Sequence, residues 1–147
     1  MKTKQRQADI YKAIDYKKTK NAVQQVMKVY KLLTLRLEET KIPKVTGRYG
    51  LTFAGNTNSR KSNVESVVIR TIILENKIEE YLTRIVNAFN KLEDDERKYL
   101  YYKFFDPTNP TDEQIIQNFN RYDYGFRALK REAYIKFAII MCIEVYD

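Results

Sequence analysis

Three cations near the end of the chain, Arg127, Lys130 and Arg131, are spaced so that one helix can carry them together. An arginine fork there can bond guanine O6 and N7 at once, and a lysine can reach a base edge or a flanking phosphate. Tyr124 and Ala128 are placed with them, and Gln114, Gln117 and Arg121 lie a short way upstream, where amide and guanidinium donors suit a phosphate backbone. These eight residues are the candidate contacts to double-stranded DNA. Catalysis and metal binding are not expected. The chain has no histidine and one cysteine, which removes the usual zinc ligands and the Ser-His and Cys-His nucleophile pairs. Glu79, Glu80 and Glu93 to Glu96 have the spacing of solvated helix faces and caps. The expectation is a protein that is not an enzyme and holds no cofactor.

Charge favours a polyanionic partner. The net charge is +8 over 147 residues, and it is lopsided: residues 1–62 hold 15 Lys/Arg and 4 Asp/Glu, whereas 63–147 hold 12 and 15. No apolar run is long enough for a membrane helix, and the basic start Met1-Lys-Thr-Lys-Gln-Arg6 lacks the apolar segment of a signal peptide. Cys142 lies in the apolar run Phe137–Ile143 and is expected to behave as a small hydrophobe in a reducing compartment. Solubility and an intracellular location, without a membrane, are therefore expected.

The elements that must position the cations are helices throughout. Val23, Val26, Tyr30, Leu33 and Leu37 repeat every three or four residues. Val64, Val67, Thr71, Leu74, Ile78, Tyr81, Ile85, Ala88 and Leu92 do the same over eight turns, with Val68, Ile72, Leu82 and Phe89 widening the stripe. Two long amphipathic helices follow, joined by a Gly/Asn/Ser-rich loop at about 42–63, in which Val45–Phe53 could form a hairpin. Ile10, Tyr11 and Ile14 suggest a short helix before them. The two long helices must fold on each other or pair with a second chain, so a homodimer is one expectation.

Residues 93–147 carry more local signals. Glu93-Asp-Asp-Glu96 starts a helix, Asp106-Pro-Thr-Asn-Pro110 stops it, and Thr111-Asp-Glu-Gln114 is a capping box opening a short helix to about Asn118 or Phe119. After a polar turn, a last helix is expected from about Tyr124 to Val145, capped by Asp123 or Tyr122, with Phe126, Leu129, Ala133, Phe137 and Ile140 facing the core. Its end, apolar all round past Ala138, is expected to be buried. A medium helix, a short capped helix, a tight turn and a longer basic helix make the pattern of a helix-turn-helix. The expected organisation is all-α, with an N-terminal helical region at 1–92 and a three-helix DNA-binding unit at 93–147.

Glu96-Arg-Lys-Tyr-Leu-Tyr-Tyr-Lys103, Thr111-Asp-Glu-Gln-Ile115 and Arg127-Ala-Leu-Lys-Arg-Glu-Ala133 together resemble the ArpU/RinA-like phage transcriptional regulators, whose C-terminal part is similar to region four of sigma factors. Where that family places a Ser or Thr cap, this sequence has Tyr122-Asp-Tyr-Gly-Phe-Arg127, and Gly125 costs a helix about 1 kcal/mol against alanine. The resemblance implies a regulator that activates phage or prophage late genes for packaging or lysis in the cytoplasm of a bacterial host. The alternative is a helical adaptor that binds RNA polymerase or another protein rather than DNA.

Overall fold

A computed structural model describes residues 2–37, 42–43, 65–119 and 123–147. They form six helices: α1 (Lys2–Ala13), α2 (Tyr16–Thr34), α3 (Glu65–Asn90), α4 (Asp94–Phe104), α5 (Asp112–Ile116) and α6 (Asp123–Met141). No strand occurs among the described residues, so the all-α expectation holds. The expected hairpin at 45–53, Val64 and the turn residues Asn120, Arg121 and Tyr122 lie outside the described residues. No helix among them is long and apolar enough to cross a membrane.

The chain divides into two compact units, Met1–Met27 with Leu92–Asp147, and Lys28–Lys91. This differs from the expected division into 1–92 and 93–147, because the first 27 residues cluster with the C-terminal helices. In the second unit Tyr30, Leu37, Ile78, Leu82, Ile85, Val86, Ala88 and Phe89 are buried, and burial pushes the Tyr30 phenol up to about 12. Among the described side chains of the expected α3 stripe, burial begins at Ile78. Ile69, Ile72, Ile73 and Leu74 are exposed, whereas Ile78, Leu82 and Ile85 are covered.

In the first unit α4 packs against α5 and α6. The α4 N-terminus is capped by Glu96, whose carboxylate accepts the Glu93 N–H at 3.1 Å, and α5 by the expected box: the Thr111 hydroxyl accepts the Gln114 N–H and the Gln114 side chain accepts the Thr111 N–H. Phe126, Leu129, Ala133, Tyr134, Phe137 and Ala138 of α6 are buried together with Tyr99 and Leu100 of α4 and Ile115 of α5. Glu96 is also buried, and its carboxylate takes the Lys136 ammonium at 2.8 Å.

Helix α6 stops four residues before the expected Val145. Cys142 adopts φ 59°, and two hydrogen bonds close the end, from the Cys142 N–H to the Ile139 carbonyl and from the Ile143 N–H to the Ala138 carbonyl. This is a Schellman end, with a cysteine where glycine is commonest. Cys142 is consequently exposed rather than packed as a small hydrophobe, and Ile139 is exposed too, so the apolar helix end is only partly covered. The chain beyond it runs extended across the junction of α1 and α2. Ile14 and Tyr146 form an antiparallel bridge, the Asp15 N–H donates to the Val145 carbonyl at 2.8 Å and the Asp147 N–H to the Ala13 carbonyl at 2.9 Å. Thr19, fully buried, fastens the same strap: its hydroxyl accepts the Val145 N–H at 3.0 Å and donates to the Val145 carbonyl.

Candidate nucleic-acid interface

The face of α6 follows from its packing. Phe126, Leu129 and Ala133 turn inward, which leaves Arg127, Ala128 and Arg131 exposed on the other side. Arg127 and Arg131 are four residues apart and therefore share one face, a turn apart. Gln114 and Gln117 are exposed on and just after α5, and Gln114 is engaged in the capping box. Arg121 lies outside the described residues, and so does the side chain of Tyr124.

Lys130 departs from the expected outward position. Its side chain is 21% exposed, and its ammonium donates to Asp112 Oδ2 at 2.6 Å. Asp112, the first residue of α5, is the hub of a small polar network. Its Oδ1 accepts the Tyr99 hydroxyl at 2.9 Å and the Lys103 ammonium at 3.2 Å. Burial alone would raise the Asp112 carboxyl, but the hydrogen bonds from Lys130, Tyr99 and Lys103 hold it below the usual carboxylate value. For Lys130 burial acts downward, and the bond to Asp112 outweighs it and raises the ammonium.

The start of α2 is the other wall. The Tyr16 ring meets Tyr134 edge-on at 6.3 Å between centroids, and the Arg131 guanidinium carbon lies 5.3 Å from the Tyr16 centroid. The Lys20 ammonium sits 5.6 Å from the Tyr134 centroid. Burial lowers the Lys20 ammonium, and the like charges of Lys130 and Lys103 lower it further against the pull of Asp112. Tyr99 and Tyr134 are fully buried between α4 and α6, and burial pushes both phenols above their ordinary 10.0. On the far side of α4, Lys98 donates to the Asn118 carbonyl at 3.0 Å and lies 4.9 Å from the Phe119 centroid, closing the end of α5.

Over 134 residues the chain is 30% identical to Protein Gp66 of Listeria phage A118, an alignment covering 91% of this chain and 92% of that protein. The chain belongs to the Gp66 family. It is thus a phage-related helical protein. No protein-family model matches it, and no solved structure does.

In this Gp66-family chain, sequence reasoning placed Arg127, Ala128 and Arg131 on one helix face and missed the network beside it. Asp112 appeared only inside the Thr111–Gln114 capping box, and Tyr16 carried no signal of its own. Lys20 is one of the 15 Lys/Arg of residues 1–62, and Lys103 is part of the resemblance to phage regulators. The available clue was the acid at the second position of the capping box, because a carboxylate at the start of a short helix stands close to whatever cations the neighbouring helices present.

Proposed function

We propose that this Gp66-family protein is a sequence-specific DNA-binding regulator of transcription that reads its site with α6. The observation that carries the reading is the exposed pair Arg127 and Arg131, with the small Ala128 between them, opposite the buried Phe126, Leu129 and Ala133. Small and forked side chains on the outward face of a docked third helix are what a major groove accommodates. In this arrangement Arg127 and Arg131 approach base edges, and Gln114, Gln117 and Arg121 approach phosphates. Lys130 acts from within as a support for the helix. The phage relationship and the resemblance to ArpU/RinA-like regulators favour late-gene control, in packaging or lysis operons, inside a bacterial host.

The test is fluorescence anisotropy of the purified chain on tiled duplexes from its own genomic neighbourhood, over a salt series. One tile is expected to bind far more tightly than the rest, with a steep salt dependence. Arg127→Ala and Arg131→Ala should each weaken that tile by about 1–3 kcal/mol and leave the other tiles little changed. Uniformly weak binding on every tile would sink the reading. A second reading, a helical adaptor for RNA polymerase or another protein, is favoured by the contact of Tyr16 with Arg131, which puts one end of the basic face against α2. Under it, the alanine variants leave DNA binding unaltered and weaken capture of polymerase.

A further inference from the structure

The network around Asp112 is unbalanced. Lys103 on α4 and Lys130 on α6 both bond one carboxylate, and the Lys20 ammonium of α2, 5.6 Å from the Tyr134 centroid, lies near enough to feel the charges of all three. The Lys130 and Lys103 ammonium groups donate to the two Asp112 oxygens, and the Tyr99 hydroxyl donates a second bond to Oδ1. The acceptor capacity of Asp112 is thereby largely used. Lys20 is left with the face of Tyr134 and, among the described residues, with no carboxylate within ion-pair distance. It is repelled by Lys103 and Lys130 at the same time. Like charges held this close in a partly desolvated place are costly unless an anion joins them.

We propose that Lys20, Lys103 and Lys130 form a phosphate-binding site, with Asp112 and Tyr99 holding two of the three lysines in place. Three ammonium groups against one carboxylate leave two positive charges, which a phosphate matches in sign and magnitude. Its tetrahedral oxygens can each accept from a different ammonium, and such charge-assisted bonds are among the stronger ones. The site is open to solvent: the side chains of Lys103 and Lys130 are 28% and 21% exposed, and Lys20 is half-buried. Arg131, next in the chain after Lys130, stands at the Tyr16 end of the same wall.

Charge distribution supports the site and favours the DNA backbone as the source of the phosphate, a choice that rests on reading the chain as a DNA binder. Residues 92–147 hold 8 Lys/Arg and 11 Asp/Glu, and the C-terminal helices by themselves therefore repel a polyanion. The 1–27 segment that folds with them brings 7 Lys/Arg and 2 Asp/Glu and turns the unit positive. Lys20 brings one of those charges to the side of the Asp112 network.

The experiment compares the thermal midpoint of the full chain in inorganic phosphate with that in sodium chloride of equal ionic strength, for the natural chain, Lys20→Gln, and Lys12→Gln as an exposed control on α1. Phosphate should raise the midpoint of the natural chain and of Lys12→Gln by about 3 °C, and Lys20→Gln should lose the effect. Because Lys20→Gln removes a repelled charge, it should fold at least as well as the natural chain without phosphate. Equal stabilisation of all three proteins, or of none, overturns the proposal. Salt titration of duplex binding identifies the source. A DNA phosphate at this site makes the slope shallower by about 0.9 in Lys20→Gln. An unchanged slope, beside a retained phosphate effect in the natural chain, assigns the site to free phosphate. The thermal arm contains no DNA, so it remains decisive even if no duplex binds.

Discussion

Asp112→Asn isolates the charge at the centre of the first unit while keeping shape and one acceptor for the Tyr99 hydroxyl. The size of its effect follows from exposure. The Asp112, Lys130 and Lys103 side chains are 29%, 21% and 28% exposed, between the surface pairs that contribute about 0.2–1 kcal/mol and the buried pairs whose disruption costs about 3–5 kcal/mol. Loss of the carboxylate from the first turn of α5 adds about 0.3–1 kcal/mol through the helix dipole. A destabilisation of about 2 kcal/mol is therefore expected. It is read by urea unfolding followed in near-ultraviolet circular dichroism, to which the packed Tyr99 and Tyr134 contribute. A double-mutant cycle with Lys130→Gln should give a coupling of about 1–1.5 kcal/mol. The effect also has a pH signature. Because the folded carboxyl is held below its ordinary 3.8, its stabilisation is complete above that value and disappears as acid carries the pH down through the depressed range. The raised Lys130 ammonium adds stabilisation that is complete below its ordinary 10.5 and is lost as alkali takes the pH through the higher folded value. The gap between natural chain and variant should thus hold between these limits and close as acid protonates the folded carboxyl, below its ordinary 3.8. A coupling under about 0.3 kcal/mol, or a gap that does not change in acid, would refute the hub.

Glu96→Gln breaks a deeper pair, since the carboxylate is 1% exposed and the Lys136 side chain 32%; about 2–4 kcal/mol should be lost, with Lys136→Met giving back part of that loss when added to it, both read by chemical denaturation. Thr19→Val keeps the shape of the buried side chain and removes both bonds to Val145, so about 1–2 kcal/mol should go, together with the hydrogen-exchange protection of the Val145, Asp15 and Asp147 amides. Cys142→Gly relieves the positive φ at an exposed position and should stabilise by about 0.5–1 kcal/mol, whereas Cys142→Ala should leave the thermal midpoint unchanged.

Local signals in the sequence were faithful where the physics is local. The capping box at Thr111 to Gln114, the acidic start of α4 and the length of α3 are set by backbone groups and near neighbours, and each occurs where the residues place it. The break between α1 and α2 has such a signal as well, because Asp15 accepts the Lys18 N–H at 3.0 Å in the manner of an N-cap. The strap from Glu144 to Asp147 had no legible signal. Its partners Ala13, Asp15 and Thr19 are more than 120 residues away in the chain. The end of α6 was misplaced because nothing in Phe137–Ile143 marks a stop, and a cysteine in the left-handed region is a tertiary choice rather than a propensity.

Lys130 is the instructive case, because the helical period was right and the chemistry of the side chain overruled it. It lies four residues after Phe126 and four before Tyr134, and both of those are buried. At 100° per residue this puts Lys130 on the edge of the inward face, about 40° from Phe126, whereas Arg127 and Arg131 fall about 100° and 140° away. A lysine on an inward edge needs a counter-charge, and the candidates in a three-helix unit are the acids at the start of the short middle helix, Asp112 and Glu113. Asp112 is half-buried and Glu113 exposed, which decides between them. The same logic separates the two kinds of cation on α6. Lys130, half-buried, has a partner inside the protein in Asp112, whereas the exposed Arg127 and Arg131 are available to a partner outside. By that criterion the set proposed to face the groove is Arg127, Ala128 and Arg131. A base-specific loss on Lys130→Gln that exceeds the loss on Arg127→Ala would contradict it.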